Sequence, residues 1–72
     1  MEPAVKAYIE RQSSVKLVSF LEICMLHNQW SQHAQIIPQI LATLKSRDFR
    51  VSEQIVSSWE FFISTTQTNR ND

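Results

Sequence analysis

The sequence predicts an all-α fold, and three observations predict it. Apolar residues recur at helical spacing in three stretches, the joints between them are short and polar, and glycine is absent from all 72 residues. Average usage is about 7%, so a chain of this length would ordinarily hold about five glycines. Without them, tight hairpins, phosphate-cradling loops and close backbone approach to a ligand lose their usual residue. Helices joined by short polar loops remain.

The first stretch runs from Pro3 to His27, with Pro3 suited to a first helical turn. Ala4, Val5, Tyr8 and Ile9 form a stripe at i, i+3, i+4 spacing, which Val15 rejoins later. From Leu17 the pattern changes: Leu17, Phe20, Leu21, Cys24 and Met25 make one face, while Val18, Ile23 and Leu26 carry apolar surface well around the cylinder. The apolar face therefore moves by roughly a quarter turn or more between the halves. One continuous helix with different neighbours along its length is the expectation, because no proline or glycine forces a break. The alternative is a break near Gln12, Ser13 and Ser14, which would make four helices of three. Leu17 to Leu26 is expected to be the most buried segment.

His27 to Trp30 reads as a polar hinge, with Ser31 as the N-cap of the second helix. Trp30, Ala34, Ile37, Ile40, Leu41 and Leu44 then fall on one stripe. Pro38 lies off that stripe, marking either a solvent-side kink or the first turn of a shorter helix that starts near Ile37. Lys45 and Arg47 close the helix and suit the negative end of its dipole. The third stretch, about Val51 to Ser64, places Val51, Ile55, Trp59, Phe62 and Ile63 on one side, with Phe61 opposite. One domain over residues 1–64 is expected, with a polar, mobile tail at 65–72.

Hydrophobic residues make up 43% of the chain and charged residues 19%, a balance that supports a packed core. Seven basic and seven acidic residues cancel, so no global field draws the chain to nucleic acid, anionic lipid or acidic substrates. Cys24 is the single cysteine and has no partner for an internal disulfide. The first twelve residues carry both charge signs and no apolar core, unlike a signal peptide. The run from Leu17 to Leu26 is about half a membrane span. A soluble, intracellular (cytoplasmic) protein with no membrane association is expected.

Catalytic and metal chemistry find little support. Cys24, His27 and His33 are three candidate ligands, but Cys24 lies in the most apolar run, where a small buried cysteine is the simpler reading. Glu10, Glu22, Glu53 and Glu60 stand singly, and no serine sits in a strand–elbow–helix setting with a glycine-lined oxyanion hole. The expectation is no enzyme, no metal and no cofactor.

Residues 36–63, IIPQILATLKSRDFRVSEQIVSSWEFFI, resemble a single HEAT-type helical hairpin. The shared features are Pro38 early in the first helix, Leu41 and Leu44 before the turn, Asp48 in it and Val51 after it. Ser52 stands where the family usually has arginine. The resemblance implies a helical hairpin in the C-terminal half whose apolar face needs covering.

Between Val5 and Ile63 lie 26 sizeable apolar side chains, more than a monomer of this size can enclose. The expected function is accordingly a small helical protein–protein interaction module (an adaptor, inhibitor or accessory subunit) acting as a homodimer. Leu17, Val18, Leu21, Met25 and Phe61 are the candidate self- or partner-interface. The alternative is a small dimeric nucleic-acid-binding regulator of helix-turn-helix type, with Lys45, Arg47 and Arg50 on the phosphates. Glu53 and Glu60 on the would-be recognition helix count against it.

Overall fold

The computed structural model describes residues 3–70, with side chains described for residues 3–66. Its helices are α1 (Pro3–Arg11), α2 (Ser14–Leu26), α3 (Ile37–Ser46) and α4 (Glu53–Arg70), with a short 3₁₀ segment at Trp30–His33. No strand occurs among the described residues.

The first stretch breaks, so the continuous helix from Pro3 to His27 is corrected to the four-helix alternative. Gln12 closes α1 by donating to the Ile9 carbonyl at 3.1 Å. Ser13 then adopts extended backbone (φ −68°, ψ 156°), and its Oγ accepts from the Lys16 N–H at 3.1 Å. This is an N-cap, worth about 1 kcal/mol. A second fastening comes from the end of α3. The Arg47 guanidinium donates to the Glu10 carbonyl at 2.7 Å, the Gln12 carbonyl at 2.9 Å and Ser14 Oγ at 3.2 Å. Carbonyls orphaned by the end of α1 thus meet a cation that complements the helix dipole.

Both α2 and α3 end in a left-handed residue, and neither is glycine. Asn28 (φ 52°) follows α2, with Gln29 N–H bonded to the Cys24 carbonyl at 2.8 Å and Asn28 N–H to that of Met25 at 3.4 Å. Asp48 (φ 58°) follows α3, with Phe49 N–H bonded to the Leu44 carbonyl at 3.0 Å and Asp48 N–H to that of Lys45 at 2.9 Å. Each pair is the Schellman hydrogen-bond pattern. Asn and Asp are the non-glycine residues that best tolerate this conformation, because their short polar side chains can bond locally.

Ser31 does not cap a helix; it lies within the 3₁₀ segment, and no side chain caps α3. Pro38 sits exposed in the first turn of α3, where its missing N–H leaves no bond unmade. Ser52 takes the capping role for α4, its Oγ accepting from the Ile55 N–H at 3.4 Å. The arginine expected after Val51 by the HEAT likeness is thus replaced by a residue that starts the helix. Helix α4 continues past Ser64 to Arg70, through the segment expected to be a mobile tail, while residues 71 and 72 lie outside the described residues.

A single core draws on every element: Ile9 from α1, Leu17, Leu21 and Cys24 from α2, Trp30, then Ile37, Ile40 and Leu44 from α3, and Ile55 and Trp59 from α4. Helix α2 packs on both α3 and α4, and α1 packs on α3. Consecutive α3 and α4 both pack on α2, and they share a trough at their joint lined by Leu41 and Lys45 of α3 and Val56 and Glu60 of α4. Trp30 and Trp59 meet at 5.4 Å between ring centres and Trp59 stacks on Phe62 at 5.5 Å. The Trp30 indole N–H donates to Ser58 Oγ at 2.9 Å, so the polar edge of the cluster is satisfied. No buried side-chain nitrogen or oxygen lacks a partner among the described residues.

Candidate interaction surface

Helix α2 is apolar on two sides. At about 100° per residue, Leu17, Leu21 and Cys24 fall within a sector roughly 60° wide, and that sector faces the core. Val15, Ile23 and Leu26 occupy the opposite side, within roughly 80° of one another. They are 68%, 50% and 69% exposed, with Ser19 and Glu22 between them also exposed. The inner sector anchors the helix against α3 and α4; no described element covers the outer one.

The candidate interface residues are therefore divided by the fold. Leu17 and Leu21 are buried in the core of the single chain, Leu21 completely. In the single chain they are packing residues, which another chain could reach only if the core opened. Val18 and Met25 are half-buried on the flanks of α2. Phe61 is 71% exposed on α4, on the side turned from the core residues Ile55 and Trp59. Sequence reasoning missed Val15, Ile23 and Leu26 as a group. Their signal was the spacing 15, 23, 26, which is legible only after the helix break turns Val15 away from the stripe of α1.

The three candidate cations also separate. The Arg47 guanidinium is committed to Glu10, Gln12 and Ser14, a structural task. Lys45 and Arg50 line a shallow trough at the α3–α4 joint that also contains Phe49, Val51, Asp48 and Glu60. Two carboxylates beside two cations make a mixed surface rather than a phosphate-binding one.

The three residues weighed as metal ligands occupy different settings. Cys24 is fully buried, and burial pushes its thiol pKa up, holding it as the neutral thiol. His27 is exposed at the end of α2, whereas His33 packs edge-on against Phe20 at 4.9 Å. Among the described residues, no three His, Cys, Asp or Glu side chains gather. No described helix is long and apolar enough to cross a membrane.

The second feature of the surface is a groove of about 280 Å³ where α1, the start of α2 and the start of α3 converge. Ile9, Leu17, Phe20 and Ile40 form apolar lining, and Tyr8, Gln12 and Lys16 also border it. No family model matches the chain, and no curated protein or solved structure matches it either, so the likeness to a HEAT-type hairpin carries no family assignment.

Proposed function

We propose that this chain is a small intracellular helical module that works by protein–protein contact, as a homodimer, and not by catalysis. The observation that carries the reading is the outer face of α2, where Val15, Ile23 and Leu26 each expose half or more of their surface on one side of a helix whose inner face is already used. Exposed apolar surface gathered on one rigid element is what protein interfaces are built on. Phe61 adds a large exposed aromatic ring elsewhere, suited to anchoring a second contact. The zero net charge removes long-range repulsion between copies. An adaptor, inhibitor or accessory subunit fits these features.

The test is the solution mass by light scattering over a range of concentrations. A dimer near twice the 8.4 kDa chain mass is expected, and Ile23→Glu with Leu26→Glu should reduce it to a helical monomer. A dimer that survives both substitutions would move the interface away from α2. A monomer at every concentration would overturn self-association.

The nucleic-acid reading is the weaker one, because Arg47 is already engaged and Lys45 and Arg50 share their trough with Asp48 and Glu60. Duplex binding that falls steeply with added salt would reverse that ranking.

A further inference from the structure

We infer that the outer face of α2 docks on the same face of a second copy, the two helices antiparallel, with Ser19 of each copy opposite Glu22 of the other. This arrangement rests on the self-association proposed above and adds an orientation, a register and the residue pair that selects them. Val15, Ser19, Glu22 and Leu26 run along that face, and all four are exposed. They are separated by four, three and four residues. At about 100° per residue they stay within a sector roughly 60° wide. Alternating steps of three and four are the spacing of a two-helix seam, in which the helices cross at about 20°. Helix α2 has 13 residues and is about 20 Å long, so the four positions use nearly its whole length.

The spacing four, three, four reads the same in both directions, and the chemistry along it decides between them. In a parallel pair each residue meets its own copy. Two Glu22 carboxylates then face each other in the middle of the seam, where like charges are poorly screened and repel. In an antiparallel pair centred midway between Ser19 and Glu22, Val15 meets Leu26 at both ends and Ser19 meets Glu22 twice in the middle. Apolar groups then cover apolar groups, and each carboxylate gains a hydroxyl donor. The helix dipoles also oppose rather than align. The flanks agree with this register. Val18 and Met25 lie half-buried on one side of the seam, and Val18 of one copy comes within about 3 Å of Met25 of the other along the axis. On the other side, Ile23 falls beneath the alkyl stem of Lys16 of the second copy, whose ammonium stays in water. A partner of unrelated sequence makes no such demand on the order of residues along α2; a second copy does.

The experiment is disulfide trapping in the full chain carrying Cys24→Ala, which removes the natural thiol. Val15→Cys and Leu26→Cys are placed in separate chains and oxidised alone and as an equimolar mixture, with light scattering of the reduced samples reporting the dimer. Both positions are exposed, so the helical circular dichroism should not change. The mixture should cross-link at least about tenfold faster than either chain alone. A disulfide needs Cα atoms within about 7 Å, whereas antiparallel pairing sets Val15 and its own copy about 16 Å apart along the axis. A second measurement reads the central pair. Ser19→Lys should tighten the dimer about fivefold at low salt, because each new ammonium meets a Glu22 carboxylate, and adding Glu22→Gln should remove the gain. Parallel pairing would set the two ammonium groups against each other and weaken the dimer instead. Faster cross-linking of either single variant with itself, or weakening by Ser19→Lys, would overturn the antiparallel register and leave the homodimer standing. A dimer that cross-links in neither arrangement would move the interface off this face, and a monomer at every concentration would overturn homodimer and register together.

Discussion

The two sides of α2 are chemically alike and structurally opposite. Leucine occupies both, as Leu17 and Leu21 on the inner side and Leu26 on the outer. The inner pair is shut away, whereas Leu26 is 69% exposed. What separates them is not residue type but what the rest of the chain brings: α3 and α4 both close on the inner side, and nothing described approaches the outer one. A helix that is apolar nearly all round is ordinarily buried all round. In a chain of 72 residues there are too few other elements to do that. The outer face is thus the surplus of a small protein, and its size is what makes an interface the economical reading.

Substitution tests this contrast most sharply at matched residues. Leu21→Ala should cost about 2–5 kcal/mol, because a fully buried leucine leaves a cavity that its neighbours fill only partly. That is a large share of the stability of any domain this size. Leu26→Ala should change the stability of the monomer by about 0.5 kcal/mol or less, since its side chain is already in water. Urea melts at low protein concentration would read both. If Leu26→Ala destabilises at high concentration only, the outer face is covered by a second copy; if it destabilises equally at every concentration, the face is covered within the chain and the contrast fails.

The inner face was legible in the sequence and the outer one was not, for a physical reason. Leu17, Leu21, Cys24, Ile37, Ile40, Leu44, Ile55 and Trp59 follow the helical period, so their burial could be read from spacing. Which side of an all-round apolar helix is used depends on packing partners far along the chain, and spacing contains no such information. The same applies to the break before α2. The shift of the apolar stripe near Gln12 did signal it, but the decisive contacts come from Arg47, which is 33 to 37 residues from the groups it holds. The helix ends are not legible in the same way: glycine is the usual left-handed residue after a helix, yet Asn28 and Asp48 take that place here. The side chains of Lys45, Arg47 and Arg50 are neighbours in sequence, yet nothing local could show that Arg47 faces α1 while its neighbours do not.

That long-range contact is open to a smaller test. Arg47→Ala should cost about 1–2 kcal/mol by leaving three acceptors to water, and the loss should concentrate at α1. Hydrogen exchange is the measurement: amides of α1 should exchange faster while those of the Leu21–Cys24 turn stay protected. Ser13→Ala should cost about 1 kcal/mol through the cap of α2. Arg47 and Ser13 fasten the same joint from its two sides, so the double variant should lose less than the sum of the single losses. Strict additivity would mean that the joint is held at two independent points, and equal acceleration of exchange in every helix would mean that Arg47 supports the whole fold rather than α1.

The smallest effect belongs to Cys24 and reports how dry the inner face is. Burial raises its thiol above the ordinary value of 9.0, and no charge or hydrogen bond is needed to explain the shift. Below about pH 9 the thiol is protonated in both the folded and the unfolded chain, so it adds no pH dependence. Above that pH the unfolded chain releases the proton while the folded chain keeps it. The unfolded state then binds fewer protons, and stability must fall as pH rises. The informative quantity is the difference between the natural chain and Cys24→Ala in thermal melts at pH 8 and pH 10. The natural chain should lose more stability across that interval than the variant does, even though the variant starts lower from its small cavity. Equal losses would mean that water reaches Cys24 in the folded chain, and the inner face of α2 would then be no drier than the outer.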